Sequence, residues 1–215
     1  MTARPVKRQP RGEDRQERII AVAVRHFATY GYTRTSIARI AADAGVSDAG
    51  VLHHFGTKSG LFTAVIERRE SAYTAQHLLE ATSVRDLFDR IIAGAAAAAA
   101  DPAFLRFRAV LSGEALLDGN PASGHLRDVL ATSLEALTPI VTAGIDSGEV
   151  LPDTEPRQLV LELLALNEGI RDQAVTMPDD IAYIEVFTRA LDRLYRAIAV
   201  APAQPGAATP QPAQA

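Results

Sequence analysis

Between Thr35 and Lys58 the chain carries two short runs of helical apolar spacing joined by a glycine turn, and few folds accept such a pair. The first run holds Ile37, Ile40, Ala41 and Ala44, with Thr35 or Ser36 able to cap its start. Gly45-Val46-Ser47 turns the chain sharply, and a second helix is expected from about Asp48 to Phe55, broken by Gly56-Thr57. Helices this short are marginal alone, so both must lean on a third. That third lies upstream, where Ile20, Ala23, Val24 and Phe27 recur from Glu13 to Tyr30-Gly31, and Gly31 suits a left-handed stop. Ile37, Ile40, Ala41, Ala44, Val46, Val51 and Phe55 supply an inner core, and Ala41 is small enough for helices to cross closely. Asp48, Ala49, Gly50 and His53 are left on the outer face of the second helix. This is a helix-turn-helix pattern. In such a unit one helix crosses a DNA backbone while the next puts its amino-terminal residues into the major groove.

The rest of the chain also reads as helix. Thr57 or Ser59 can open a long fourth helix through Leu61, Phe62, Val65 and Ile66 to about Leu79. Ser83 can cap a helix through Leu87, Phe88, Ile91 and Ile92 that stops at Asp101-Pro102. The next covers about Ala103–Leu117 and ends in the loop signal Asp118-Gly119-Asn120-Pro121. Another spans about Ser123–Ser147, where Pro139 should kink or split it. Thr154 then caps a helix with Pro156 in its first turn, through about Val175. Pro178-Asp179-Asp180 opens the last, which carries Ile184, Phe187, Leu191, Leu194 and Ile198. Period-two alternation is absent, so the fold is all-α. The expected division is a basic arm at 1–12, a three-helix helix-turn-helix domain at 13–73, a larger helical domain at 74–200 and a Pro/Ala-rich tail at 201–215 with nothing to bury.

Charge separates these parts. Residues 1–70 carry twelve Lys/Arg against seven Asp/Glu, and residues 71–215 carry ten against nineteen, within a net charge of -4. A basic amino-terminal third on an acidic body points to one end meeting a polyanion; a basic arm beside a solvated acidic face is the plainer reading. The chain has no cysteine, which excludes disulfides, thiolate metal sites and cysteine nucleophiles and fits a cytoplasmic protein. Met1–Arg18 has no apolar core of a secretory signal, and Ile91–Ala100 is too short to span a bilayer, so no membrane partner is expected.

Thr35-Ser36-Ile37-Ala38-Arg39-Ile40-Ala41-Ala42-Asp43-Ala44-Gly45-Val46-Ser47, followed by Val51-Leu52-His53-His54-Phe55-Gly56-Thr57-Lys58, resembles the TetR (tetracycline-repressor-like) regulators. Phe27-Ala28-Thr29-Tyr30-Gly31-Tyr32 is similar to the end of that family's first helix, and the motif-level resemblance covers about residues 13–73. The resemblance implies a homodimer on palindromic double-stranded operator DNA, most often a repressor, released when a small molecule binds the larger domain. It implies DNA contacts by Thr35, Ser36, Ser47, Asp48, Ala49, Gly50, His53, His54, Thr57 and Lys58, with Thr35, Ser36, His54, Thr57 and Lys58 serving phosphates. Two positions depart from the family. Leu52 stands where a tyrosine often reaches a phosphate, so Leu52 is expected to pack. Gly60 stands where an acid often closes a capping box, which Gly60 cannot do.

Read without the resemblance, His54 beside an aromatic is a structural hydrogen-bonder and His53 is simply exposed. Asp48 can cap its helix or accept from a cytosine amino group. Lys58 in the first turn of a helix conflicts with the helix dipole unless a phosphate lies nearby.

In the larger domain Leu159-Val160-Leu161-Glu162-Leu163-Leu164-Ala165-Leu166 is apolar on nearly every face, as a helix buried on more than one side must be. In the family the last two helices pair across a two-fold axis, and this run resembles that. Asn167 and Arg171 either line a ligand cavity, or Arg171 pairs with Glu168 at i,i+3 on a surface. Phe104, Phe107 and Leu111 lie on the helix that in the family helps enclose the cavity, and core packing explains them equally. The ligand is expected to be mostly apolar. No catalytic residue, cofactor or metal site is expected: G-x-G-x-x-G, G-x-S-x-G and H-E-x-x-H are missing, and adjacent His53 and His54 diverge by about 100° on a helix. Enzymes are thereby disfavoured. A DNA-architectural protein without ligand sensing is the alternative, against which stands an acidic helical body longer than dimerisation requires.

Overall fold

The computed structural model describes residues 11–71, 76–117 and 119–201, and within them the chain is helical almost throughout. In order the helices are α1 Arg11–Arg34, α2 Ile37–Ala44, α3 Asp48–Phe55, α4 Lys58–Ser71, α5 Gln76–Leu79, α6 Val84–Ala99, α7 Pro102–Glu114, α8 Ala122–Asp146, α9 Pro156–Thr176 and α10 Tyr183–Ile198. Among the described residues, β pairing is limited to an isolated antiparallel bridge between Val150 and Ala199. The fold is all-α, with a helix-turn-helix unit at its amino-terminal end. Arg11 and Gly12, expected in the arm, already belong to α1; residues 1–10 and 202–215, the rest of the expected arm and tail, lie outside the described residues.

Several boundaries differ from the sequence reading. Gly31 does not end α1 but breaks it from within at φ 69, ψ 178, after which one more turn runs to Arg34. The expected helix to Leu79 is divided into α4 and α5, with residues 72–75 outside the described set. Pro139 neither ends nor splits α8, which runs unbroken from Ala122 to Asp146. Pro139 and Glu135 are both exposed, so water can serve the Glu135 carbonyl that loses its donor. The N-cap of α9 is Glu155, not Thr154, and α10 starts at Tyr183 rather than after Pro178. Ile91–Ala100 remains too short to span a bilayer, but α8 is long and apolar enough to do so by length and composition alone. In the fold, its Leu137, Val141 and Gly144 are buried.

Two apolar cores organise the molecule. The second contains Val84, Leu87 and Phe88 of α6, Leu137 and Val141 of α8, Leu159, Val160 and Leu163 of α9, and Phe187 and Leu191 of α10. Leu163 is 1% exposed within a single chain. α6, α8 and α10 bury the inner side of the Leu159–Leu166 run, while Leu161, Leu164 and Leu166 stay half-buried and Ala165 exposed on its outer side. The first core joins Ile19, Val24, Phe27, Ile40, Val51, Leu61 and Phe62 to Phe104, Phe107 and Leu111 of α7. A boundary after residue 73 thus cuts the chain but not the packing.

Candidate nucleic-acid interface

Three helices of the amino-terminal module, α2, α3 and α4, start on a nearby hydroxyl. Ser36 is the N-cap of α2, its Oγ accepting from the Arg39 amide at 3.3 Å. Ser47 does the same for α3 through the Gly50 amide at 3.1 Å. Thr57 Oγ1 accepts from the Gly60 amide at 2.9 Å at the head of α4. These settle the alternatives left by the sequence: Ser36 rather than Thr35, Thr57 rather than Ser59, and Ser47 rather than Asp48 hold the caps. Asp48 instead sits exposed in the first turn of α3, where its charge is favourable to the helix dipole. Gly45 closes α2 in the left-handed conformation, φ 65, ψ 39. Gly60 has its own reason: a Cβ there would overlap the Phe55 carbonyl.

Val51 turns α3 inward, while Asp48, Ala49, Leu52 and His53 are exposed and Gly50 and His54 are half-buried. Leu52, expected to pack, is 41% exposed, because Val51 already fills the inner position beside it. His54 Nδ1 lies 3.4 Å from Gln16 Nε2, tying α3 to the first turns of α1. A surface concavity at the α2–α3 turn is lined by Arg15, Gly45, Val46, Ser47 and Gly50. Arg15 is a cation the sequence reading missed. Its signal was weak, since the arginines of the first turns of α1 alternate with acids, and only the fold brings Arg15 beside Ser47. Arg39 is also exposed, with its guanidinium 5.9 Å from the centre of the Tyr30 ring.

Two expected phosphate contacts are engaged elsewhere. Thr35 is 3% exposed, and its hydroxyl donates to the carbonyls of Gly31 at 2.7 Å and His26 at 3.2 Å. It ties the α1–α2 corner and turns away from solvent. Lys58 is half-buried, its Nζ donating to the Thr33 carbonyl at 3.1 Å and lying 4.5 Å from the Tyr32 ring centre. Burial lowers the Lys58 pKa, and the charge of Glu114 opposes that. Beside this corner His26 Nε2 pairs with Asp43 at 2.7 Å, linking α1 to α2, while His26 Nδ1 is buried without a partner.

The expected ligand residues fall into two groups. Phe104, Phe107 and Leu111 face α1 and α4, the Phe107 ring lying 6.0 Å from that of Phe62. Asn167 and Arg171 lie in the other half of the molecule. Asn167 accepts a hydrogen bond from the Tyr183 hydroxyl, whose pKa burial pushes up to about 12. Arg171 is 4% exposed; it pairs with Asp172 at 2.9 Å and donates to Ser112 Oγ of α7 at 3.2 Å. Glu168 is exposed and is not its partner. The structure thus brings Asn167 and Arg171 together with Ser112 and Tyr183, and leaves the three α7 residues in the other core.

Residues 19–65 match the family model of bacterial regulatory proteins of the tetR family. A 65-residue segment is 35% identical to the HTH-type transcriptional regulator AcrR of Shigella flexneri, covering 30% of each protein. Over most of the chain the similarity is in fold. NalD, the secondary repressor of the MexAB-OprM multidrug efflux pump in Pseudomonas aeruginosa, superposes with a TM-score of 0.74 at 19% identity, over 89% of this chain and 98% of that one. SmeT, the repressor of the Stenotrophomonas maltophilia multidrug efflux pump SmeDEF, gives 0.71 at 20% identity over 93% and 97%. SmeT in complex with triclosan gives 0.72 at 20% identity over 92% and 100%.

Proposed function

The chain belongs, through residues 19–65, to the tetR family of bacterial regulatory proteins, and from that premise we propose that it is a transcriptional regulator that binds a near-palindromic operator as a homodimer and is released by a small molecule. One observation carries the DNA half: α3 starts on a capped turn and exposes small residues, Ala49 and half-buried Gly50, with Arg15 beside that turn and Arg39 exposed on α2. Small side chains let a backbone approach the floor of a groove, and the cations hold the phosphates on either side. Ser36, Ser47, His54 and Thr57 complete the proposed contacts. Lys58, with one of its three N–H donors on Thr33, keeps the others for a phosphate, and Thr35 leaves the contact set. No step here is catalytic. The acts proposed are binding and release.

The ligand half rests on Asn167, Arg171, Ser112 and Tyr183, polar groups set into an otherwise apolar region between α7, α9 and α10. For the dimer, α10 presents Val186, Arg189, Arg193 and Arg196 to solvent, and this face with the exposed side of α9 is the proposed contact.

Selection of duplexes from a random pool tests the reading. A near-palindrome with half-sites about one helical turn apart, or a multiple, is expected. Arg15→Ala or Lys58→Ala should weaken binding to all sequences and flatten the salt dependence by about one unit each. Ala49→Ser should change which duplex is preferred. Enrichment of no sequence over the starting pool would overturn the proposal.

A further inference from the structure

We propose that Glu114, the last residue of α7, is the positioning residue through which the helical body sets the orientation of the DNA-reading helices; this deepens, and rests on, the DNA-binding reading above. Glu114 Oε2 accepts the Tyr32 amide at 2.7 Å, a bond between residues 82 apart in sequence. Tyr32 follows the break in α1. Gly31 there is at φ 69, and a Cβ on it would overlap the Glu114 carboxylate. The dihedral angles favour glycine, and any side chain here would push the Glu114 carboxylate from its place.

The same corner collects several ties between α1, α2 and α4. The Thr35 hydroxyl holds the Gly31 carbonyl at 2.7 Å, one residue before the cap of α2. Lys58, opening α4, holds the Thr33 carbonyl at 3.1 Å and lies over the Tyr32 ring. Residues 31–35 are thus fastened to α1, α2 and α4 from within the module, and Glu114 joins that corner to the body. A carboxylate receiving a backbone N–H is a strong, distance-sensitive contact, so the corner must follow α7 or lose the bond.

At the other side of α7, Ser112 receives Arg171 Nη2 at 3.2 Å. Residues two apart on a helix point about 200° apart, so α7 carries the buried arginine on one side and the α1–α2 corner on the other. Arg106, also on α7, donates to the Ala28 carbonyl at 3.3 Å and keeps α1 beside it. Whatever shifts α7 from the Arg171 side therefore acts on Tyr32 through Glu114.

The test is a double-mutant cycle on the full chain, read by amide exchange at Tyr32 and by affinity for a duplex obtained from the selection above. Glu114→Ala should speed Tyr32 exchange about tenfold or more and weaken duplex binding. Glu114→Gln keeps an oxygen for the same N–H and should recover most of both. Ser112→Ala should speed Tyr32 exchange when Glu114 is present and have no further effect in Glu114→Ala. Should Glu114→Ala fail to fold, Glu114→Asp, one methylene shorter, serves as the background with the contact broken. Equal effects of Ser112→Ala in both backgrounds, or wild-type exchange at Tyr32 in Glu114→Ala, overturn the role given to Glu114. A wild-type protein that selects no duplex overturns the DNA reading instead, and the exchange cycle still reports on Glu114.

Discussion

The helices proposed to read DNA and the last helices of the body begin in opposite ways. α2, α3 and α4 each start on a hydroxyl three residues from the amide it serves, at Ser36, Ser47 and Thr57. α9 and α10 start with no side-chain cap at all. Beside the local caps of α6 and α7, the body has polar ties that come from far along the chain. Glu149, in the loop after α8, accepts the Val84 and Arg85 amides at 2.8 and 2.7 Å, and the Tyr195 hydroxyl at 3.1 Å. Helices as short as α2 and α3 lack the length to stand on burial alone, so their ends are closed locally. In the body α6 and α7 keep local caps at Ser83 and Asp101, while the uncapped α9 and α10 bury wide apolar faces and leave their fastening to tertiary contacts.

The comparison can be broken most strongly where the regions meet. Phe107 belongs to a body helix yet is 1% exposed in the core of the DNA module. Phe107→Ala should destabilise the protein by about 3–5 kcal/mol in urea unfolding and loosen duplex binding with it. Retained binding with a lost ligand response would return Phe107 to the cavity. Next in size, Glu149→Ala leaves the start of α6 and Tyr195 without their acceptor and should lower stability by about 2 kcal/mol. Amides of α6 should then exchange faster while those of α2 and α3 stay as they were. Ser47→Ala is smaller, about 1 kcal/mol, and its effect on exchange should be confined to α3 and the turn before it.

The smallest expected effect is at high pH. Burial raises the Tyr183 pKa to about 12, so the fold favours the neutral phenol. The stabilisation this represents is complete below the ordinary tyrosine value near 10 and is lost as pH rises from there through about 12. Tyr183→Phe should remove that part of the alkaline decline. An unchanged stability profile between pH 10 and 12 would show that burial at Tyr183 carries no such linkage.

Much of the amino-terminal module was legible because its signals are short-range. Ile37, Ile40 and Ala44 mark the inner face of α2, Gly45 the turn, and Val51 the inner face of α3, all within a few residues of one another. The errors share a different origin. Thr35 reads as an exposed hydroxyl beside Ser36, and nothing local says that the Gly31 carbonyl will take its proton. Leu52 reads as apolar and therefore packed, yet Val51 is already in that place. Pro139 reads as a kink or a split, yet α8 runs on through it, with Pro139 and Glu135 both exposed. The Arg171–Glu168 pairing follows from spacing, while the actual partners are Asp172 and Ser112, the latter 59 residues away.

By itself the sequence determined what periodicity and capping can specify: an all-helical chain, the three helices of the reading module, the outer face of α3 and the resemblance carried by residues 13–73. Only the tertiary structure decided which core each apolar residue joins, so that Phe104, Phe107 and Leu111 went to the DNA module and Leu163 to the body. It alone placed Arg15 beside Ser47 and the Glu114 carboxylate on the Tyr32 amide. The physical reason is range. A cap or a turn is settled by neighbours within a few residues, whereas a helix face or a carboxylate has many possible partners until the whole chain has closed on itself.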